Sequence, residues 1–306
     1  MATEAAELER LDDLHWRGLK YGLDVGKVGP EGLKDLEPHA SGVAALHVRS
    51  TGMVDYAGVT RAFAREVEGL GGELRTGVAV EGISETTDRA QVRTRIGTFS
   101  ARVLVNCAGL HSDRLAAMSG LRPDVKIVPF RGEYYELKPH KRYLVKNLIY
   151  PLPDPAFPFL GVHFTRMIGG AVEAGPNAVL GLAREAYKKT AFDPKDIAEI
   201  LTYPAFWRLA GRYWRTGAAE VLRSISKGAF TRGLRKLIPE VEEKDLVPAG
   251  AGVRAQALTK KGGLVDDFLI VEGNSSIHVL NAPSPAATAS ILIGEHIAER
   301  AGSFAS

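Results

Sequence analysis

The sequence lacks several features that define common protein classes. It has one cysteine, Cys107, in 306 residues, which excludes an internal disulfide and any metal site built from several cysteines. No apolar run approaches the roughly 20 residues that span a bilayer. The acidic start, MATEAAELERL, does not resemble a signal peptide. We therefore expect a cytoplasmic protein, or one that is peripheral at the inner face of a membrane.

The sequence also lacks a large excess of charge of either sign, and it lacks several enzyme signatures. The 39 basic and 36 acidic residues nearly cancel, so we expect no nucleic-acid partner. The G-x-S-x-G turn of hydrolases and the H-E-x-x-H pair of zinc proteases do not occur. The eight histidines are scattered without ligand spacing, so we expect no metal site.

The most informative segment is VLVNCAGLHSDRLA, residues 103–116, in which an apolar run turns through Asn-Cys-Ala-Gly into an apparent helix. In flavin-dinucleotide folds, small residues at such a turn let the backbone approach the cofactor where a Cβ would clash. We therefore assign cofactor contacts to Cys107, Ala108 and Gly109. Val78, in the preceding predicted strand, is added to this set.

The opening half of such a fold does not precede this segment. It should be a strand leading into Gly-x-Gly-x-x-Gly at a helix N-terminus, where backbone amides hold pyrophosphate. The glycines at 69–72 close a helix instead, and GAGVRA at 250–255 leads into QALTKKGG, which has no helical period. We expect an incomplete dinucleotide domain with weak or absent FAD binding by the chain alone.

Periodicity predicts the elements around this segment. Helices are predicted from the stripe Leu8, Leu11, Leu14 and Leu19 and at 59–72, with looser sequence to residue 45 between them. Strands are predicted at 73–80, 91–95, 101–107, 130–137, 147–152, 159–167, 169–176, 250–256, 268–272 and 277–280. A last helix opens at 281–288 and runs through 297. This order indicates an α/β fold.

A basic stretch lies between residues 184 and 236, where 12 Lys or Arg stand against 5 Asp or Glu. Phe206, Trp207, Tyr213 and Trp214 are interleaved at helix-like spacing. One interpretation is a solvated helical excursion whose aromatic residues pack on the sheet. The other is a helix on a membrane surface that reaches anionic lipid or a quinone.

Three regions follow from these patterns. We predict a partial FAD-binding, Rossmann-like domain at 1–128, and a substrate domain with a mixed or antiparallel sheet at 129–248 that carries the basic excursion. Residues 249–306 return to the cofactor domain. There, a small, proline-containing turn at a helix start can present amides to flavin or phosphate, although such turns are often plain helix caps. Its predicted cofactor residues are Asn281, Ala282, Pro283, Ser284, Ala286 and Thr288.

Several segments resemble the L-2-hydroxyglutarate oxidase/dehydrogenase branch of the glycine-oxidase/D-amino-acid-oxidase flavoprotein superfamily. They include STGMVDY, NCAGLHSDRLA, PFRGEYYEL, PDPAFPFLGVHFTR, GVRAQA and NAPSPAATAS, in family order. The resemblance implies an FAD enzyme that oxidises L-2-hydroxyglutarate to 2-oxoglutarate, with oxygen or a membrane quinone as electron acceptor. Ala186 departs from the family's usual glycine. The alternative is a truncated, non-catalytic remnant that binds a dicarboxylate at most.

This reaction needs cations for two carboxylates, and the planar fork of arginine suits a carboxylate. Arg254, in GVRAQ, is the first choice for the carboxylate beside the flavin. Arg131 and Arg166 are candidates for the distal carboxylate. For each, the alternative is a structural ion pair or a side chain that extends to the surface.

The reaction also needs a base for the hydroxyl proton. His163, in the apolar stretch FLGVHFT, and His278, just before the last turn, compete for this role. A lone histidine on an apolar strand is more often a hydrogen-bonded core residue. Tyr134 and Tyr150 can orient the substrate through their hydroxyls, or fill a core.

Overall fold

The chain has a mixed α/β fold, which confirms the predicted class. The computed structural model describes residues 1–153, 161–283 and 286–304. The helices are α1 Leu8–Lys20, α2 Pro30–Leu36, α3 Tyr56–Gly69, α4 Ser112–Met118, α5 Pro194–Leu201, α6 Pro204–Ile225, α7 Lys227–Leu234 and α8 Ser290–Ser303. The strands are β1 Val25–Val28, β2 Ala45–Val48, β3 Val80–Glu85, β4 Ala90–Thr94, β5 Gly97–Ala101, β6 Leu104–Asn106, β7 Val125–Leu137, β8 His163–Arg166, β9 Val172–Gly175, β10 Val179–Leu180, β11 Leu246–Thr259, β12 Leu269–Glu272 and β13 Ser276–Asn281.

The chain divides into two compact units. Unit 1 comprises Met1–Asp55, Arg131–Val179 and Trp214–Gly252, and unit 2 comprises Tyr56–Phe130, Leu180–Tyr213 and Val253–Ser306. These units are defined by packing, whereas the three predicted domains are defined by cofactor and substrate roles. The assignment of those roles to 1–128, 129–248 and 249–306 therefore stays a prediction.

Unit 1 is built around antiparallel strands. Strand β9 lies between β7 and β8: its Ala174 pairs with Tyr135 of β7 on one side and with Phe164 of β8 on the other. The core beneath them is apolar and fully buried, with Phe164, Phe230 and Leu234 among its members. Helix α7 supplies the last two, because its apolar positions are three to four residues apart and so share one face.

Unit 2 contains two three-stranded sheets. One is the antiparallel meander β3-β4-β5, and the other has the order β12-β13-β6. In the second sheet, β12 and β13 are antiparallel whereas β13 and β6 are parallel. Ile127, Ala257 and Leu280 belong to one buried cluster of this unit. The parallel pair matters for function, since parallel strands end at a common edge.

The two predicted N-terminal helices are present as α1 and α3, but their apolar residues are not equally buried. Leu11 is fully buried in α1, whereas Leu19 is exposed. Helix α3 ends at Gly69, within the predicted glycine-rich end; its Phe63 and Val67 are exposed, as is Leu70 just after it. The helical period was therefore predicted correctly, although several of these apolar side chains are exposed.

Four local predictions were wrong. Residues 73–79 form no strand, because Gly77 has a φ of +72° that a strand cannot accommodate, and β3 begins at Val80. Residues 147–152 provide one isolated bridge from Ile149 to Phe164, since Pro151 has no N–H for a ladder. The stretch predicted to be loose before residue 45 contains β1 and α2. The last helix begins at Ser290 rather than within 281–288, because residues 286–289 form tighter turns.

The basic stretch forms the three helices α5, α6 and α7. Phe206 and Tyr213 pack against a buried cluster of unit 2, as the first interpretation predicts. Trp207 and Trp214, in contrast, are exposed. Within the described ranges, no helix combines the length and the apolar character needed to cross a membrane.

Candidate active site

Two of the predicted cofactor segments directly follow the parallel strands β6 and β13. The register places Leu104 opposite Ser276 and Asn106 opposite His278. Because the strands are parallel, the turns at 107–109 and 282–283 leave the same edge of the sheet. Cofactors of open α/β sheets bind outside the carboxyl ends of the strands. Small side chains at both turns leave backbone exposed there, so these residues fit a flavin dinucleotide.

The first turn is held in shape by Asn106 at the end of β6. Its Oδ1 accepts a hydrogen bond from the Ala108 N–H at 3.1 Å, and its Nδ2 donates to the Ser112 carbonyl at 2.9 Å. Gly109 follows with a φ of +54°, in the left-handed region that favours glycine. The chain can thus turn sharply from β6 into α4 while Ala108 stays at the edge of the sheet.

Cys107 lies at the surface of this turn. The protein on one side of its thiol limits hydration, which raises the pKa of Cys107. A thiol with a raised pKa is a poor nucleophile. Cys107 is therefore poorly suited to act as a nucleophile, and its contact with the cofactor stays a prediction.

The second turn begins at the buried residue Asn281. Its Nδ2 donates to the carbonyls of Val265 at 3.1 Å and Asp267 at 2.8 Å, and its Oδ1 lies 3.3 Å from the Ala257 nitrogen. The side chain of Asn281 therefore braces its own sheet. Ala282 and Pro283 follow at the edge. Ser284 lies outside the described residues, and the predicted residues Ala286 and Thr288 lie in the turn before α8.

A buried polar cluster lies behind the first turn, around His278 of β13. His278 is fully buried, and its Nδ1 lies 2.9 Å from Asn106 Nδ2. Its Nε2 lies 2.7 Å from Ser276 Oγ and 3.2 Å from Ser119 Oγ. Burial lowers the pKa of His278, against an opposing effect of Glu85. With both ring nitrogens occupied within the protein, His278 is poorly placed to take a substrate proton.

Two other predicted residues of unit 2 do not belong to these turns. Arg254 is half-buried on β11, and the strand alternation puts it on the face opposite Ala255 and Ala257, which pack in the core. Val78 lies in the irregular segment before β3. Their roles toward substrate and cofactor stay predictions.

The two candidates for the distal carboxylate lie in unit 1, and both already have partners. Arg131 forms an ion pair with Glu133 two residues along β7. Arg166 donates to the backbone carbonyl of Val145 at 2.7 Å. Arg166 keeps its full charge because a carbonyl does not neutralise it, whereas Glu133 offsets the charge of Arg131. Of the two, Arg166 is the stronger candidate for a substrate anion.

His163 and Tyr150 lie together in unit 1. Their rings stack with centroids 4.3 Å apart, and His163 Nδ1 lies 3.0 Å from the Gly161 carbonyl. Nδ1 must be protonated to make that hydrogen bond, so Nε2 is the acceptor nitrogen of the neutral ring. This is the tautomer that a base requires. Tyr134 is half-buried on β7.

The largest buried charge cluster of unit 2 was not singled out from the sequence. Arg184 forms a two-pronged ion pair with Asp113 and also lies 3.2 Å from Glu199. The sequence did contain a signal for this cluster. An arginine in the mostly apolar segment LAREAY would need a carboxylate partner if it were buried. The partner, 71 residues away, could not be identified locally. Glu85 was missed for the same reason.

No three or more His, Cys, Asp or Glu side chains come together as a metal site anywhere in residues 1–153, 161–283 and 286–304. The edge at which β6 and β13 end stays the predicted cofactor position.

Residues 1–300 match the protein family described as FAD dependent oxidoreductase. Among similar proteins, L-2-hydroxyglutarate dehydrogenase of Indibacter alkaliphilus is 50% identical over 98% of this chain and 75% of its own length. The enzyme of the same name from Escherichia coli strain K12 is 43% identical over 98% of this chain and 71% of its own length. The mitochondrial L-2-hydroxyglutarate dehydrogenase of Homo sapiens is 41% identical over 98% and 68%.

Solved structures share the fold at much lower identity. L-α-glycerophosphate oxidase from Mycoplasma pneumoniae with FAD bound superposes with a TM-score of 0.77 at 18% identity, over 98% of this chain and 71% of that one. Glycine oxidase from Geobacillus kaustophilus gives a TM-score of 0.67 at 16% identity, over 98% and 68%. At these identities the likeness shows the fold alone.

Proposed function

Because the chain belongs to the family of FAD-dependent oxidoreductases, we propose that it oxidises L-2-hydroxyglutarate to 2-oxoglutarate with FAD as cofactor. The structural observation that carries this proposal is the shared edge of β6 and β13, where both predicted cofactor turns emerge. Relatives that are named L-2-hydroxyglutarate dehydrogenase support the choice of substrate. They do not favour the alternative of a non-catalytic remnant.

The chemistry divides between the cofactor and the residues of this chain. When bound, FAD accepts the hydride from the α-carbon of the substrate. Arg254 binds the carboxylate next to that carbon through its planar guanidinium. For Arg166 and His163, which belong to unit 1, the roles of distal-carboxylate ligand and base stay predictions from the sequence. Tyr150, stacked on His163, limits rotation of the imidazole ring.

The first test measures flavin reduction directly. The purified chain is loaded with FAD and mixed anaerobically with L-2-hydroxyglutarate, and we expect the visible flavin band to bleach. D-2-hydroxyglutarate is the matched control, because it differs only in the configuration of the reacting carbon. Equal bleaching by both enantiomers, or by neither, contradicts the proposal. Admitting air or a soluble quinone to the reduced protein then shows which acceptor reoxidises it.

The same assay is run on a chimera that adds the quarter of the Indibacter relative lying outside the match. This arm is included because the apolar residues Phe63, Val67, Ile291 and Leu292 are exposed on α3 and α8, where added chain could cover them. Failure of both proteins to reduce flavin counts against the proposed activity. Reduction by the chimera alone places a required part of the cofactor site in the added quarter.

We also propose that the C-terminal half of α6 contacts an anionic membrane surface, where a quinone acceptor would be reached. Trp214, Val221, Leu222 and Ile225 recur at helical spacing and are exposed. Arg215 lies 5.4 Å from the Trp214 ring, which places a cation beside the apolar face. Exposed tryptophan flanked by arginine is typical of helices that lie in the plane of a membrane interface.

Vesicle binding tests this surface. We expect the chain to bind vesicles that contain anionic phospholipid, and Trp214→Ala to weaken binding about tenfold to a hundredfold, since burying a large apolar side chain contributes about 1.5–3 kcal/mol. Trp16→Ala is the matched control, because Trp16 is 62% exposed and Trp214 is 63% exposed. Equal effects of the two substitutions, or equal binding to uncharged vesicles, would rule out this surface.

A further inference from the structure

The buried cluster around His278 has a defined hydrogen-bond direction. Asn106 Nδ2 can only donate, so His278 Nδ1 accepts at 2.9 Å. The remaining proton of the neutral imidazole is then on Nε2, which donates to Ser276 Oγ at 2.7 Å. Ser276 in turn donates its hydroxyl proton to Glu85 Oε1 at 2.5 Å. Four side chains from three strands thus form one chain of hydrogen bonds.

The surroundings of His278 support the same tautomer. Ser119 donates its hydroxyl proton to the Ala116 carbonyl at 2.8 Å, so its oxygen faces Nε2 as a second acceptor. Glu85 Oε1 lies 3.8 Å from Nε2, and no other charged group is recorded in contact with the ring within the described residues. From β12, the residue opposite His278 is the apolar Val271. A neutral ring protonated on Nε2 satisfies every one of these neighbours.

We infer that Glu85, Ser276 and His278 form a positioning relay that fixes the Asn106 side chain and thereby holds the Ala108 amide at the cofactor edge. Asn106 has one orientation in which Nδ2 meets both His278 and the Ser112 carbonyl while Oδ1 meets the Ala108 N–H. His278 selects this orientation, because a flipped amide would place Oδ1 against the lone pair of Nδ1. The inference rests on the proposed flavin site and assigns these residues no contact with substrate.

The chain offers a matched pair of serines for the test. Ser276 and Ser275 are adjacent and both buried, but the Ser275 hydroxyl has no hydrogen-bond partner among the described residues. Ser276→Ala therefore breaks the relay, whereas Ser275→Ala removes an equal volume and leaves the relay whole. The backbone N–H of Ser275 still donates to Glu85 in both variants.

Hydrogen exchange of the Ala108 amide is the direct readout. Cys107 is the one cysteine of the chain, so labelling cysteine carbonyl carbon and alanine nitrogen isolates the Cys107–Ala108 amide in one NMR signal. We expect Ser276→Ala to speed exchange of this amide about threefold to tenfold, which corresponds to the free energy of one hydrogen bond. Ser275→Ala should change the exchange rate by less than about twofold. The dissociation constant of FAD should rise by the same factor in Ser276→Ala, measured on whichever protein reduces flavin.

A second variant tests the direction of the relay. Asn106→Asp keeps an acceptor for the Ala108 N–H but presents a carboxylate oxygen to Nδ1, so His278 should take up a second proton at a higher pH than it does in the unchanged protein. Nitrogen NMR of labelled histidine distinguishes the two states. A His278 that takes up its second proton at the same pH in both proteins would overturn the assigned hydrogen bonds.

The outcomes separate the relay from the proposed function. Equal Ala108 exchange in the two serine variants overturns the relay, whatever the flavin does. Faster exchange with an unchanged FAD dissociation constant overturns its link to the cofactor. Absence of FAD binding by the unchanged protein and the chimera overturns the proposed function, and with it the role of the relay at the cofactor, even where exchange behaves as expected.

Discussion

Replacing Arg184 with methionine is expected to lower the free energy of unfolding by about 3–5 kcal/mol, because it leaves a buried carboxylate without its counter-charge. The Arg184 side chain is 3% exposed and that of Asp113 is 7% exposed. Arg184 also donates to the Leu110 carbonyl at 2.6 Å. Methionine fills a similar volume but supplies none of these hydrogen bonds. The measurement is urea denaturation of the whole chain, monitored by circular dichroism.

The controls separate charge from packing. Arg300→Met removes a surface partner of Glu272 and should cost no more than about 1 kcal/mol. The double variant Arg184→Met/Asp113→Asn should recover part of the loss, since an asparagine can still accept from the Ile127 N–H that Asp113 now holds at 2.9 Å. A single variant Arg184→Met as stable as Arg300→Met would mean that this ion pair contributes little to the fold.

The Arg184 cluster also bears on the cofactor edge. Arg184 donates to the carbonyl of Leu110, which follows Gly109 of the cofactor turn at 107–109. Asp113 lies in the first helical turn of α4. A carboxylate at that position interacts favourably with the helix dipole. The chain therefore braces the turn from two sides, with Asn106 before it and Asp113 after it. Loss of Arg184 should weaken flavin binding as well as stability.

Local patterns were sufficient to predict much of the fold. The helical stripes of α1 and α3, and the strand residues of β4, β12 and β13, are each contained in one short segment of the sequence. The Asn-Cys-Ala-Gly turn could also be predicted, because small residues, and Gly109 above all, are required where the backbone turns sharply. Pro30 was an available signal for the start of α2 that was not used, since proline favours the first turn of a helix.

The organisation of the site depends on contacts that no local pattern carries. Asn106 and His278 are 172 residues apart, and their meeting follows from the parallel pairing of β6 with β13. The sequence predicted His278 as a candidate base because its type and position suited that role. Its burial and its bonds to Ser276 and Asn106 become visible only after the strands are assembled. The same holds for Arg131. Its partner Glu133 is only two residues away, but the two side chains lie on the same face only after β7 has formed.

Replacing Arg254 with methionine is expected to lower kcat/KM for L-2-hydroxyglutarate by about a hundredfold to a thousandfold, the effect of removing one partner from a desolvated charge pair. Arg254→Lys should restore part of this, since it keeps the charge but loses the two-pronged geometry. Arg122→Met, which removes an exposed arginine from the same unit, is the control and should leave kcat/KM within twofold. Flavin content is measured first, so that rates are compared per bound flavin.

The choice of substrate shows which carboxylate Arg254 holds. If it binds the carboxylate beside the reacting carbon, Arg254→Met should reduce kcat/KM equally for L-2-hydroxyglutarate and for L-2-hydroxybutyrate, which has no distal carboxylate. Arg166→Met should then impair the dicarboxylate alone, because its proposed partner is missing from the shorter acid. If Arg254→Met impaired only the dicarboxylate and Arg166→Met impaired both acids, the two roles would be exchanged, since a residue affects only substrates that carry the group it binds. Full activity of Arg254→Met on both acids would make Arg254 a structural residue of β11.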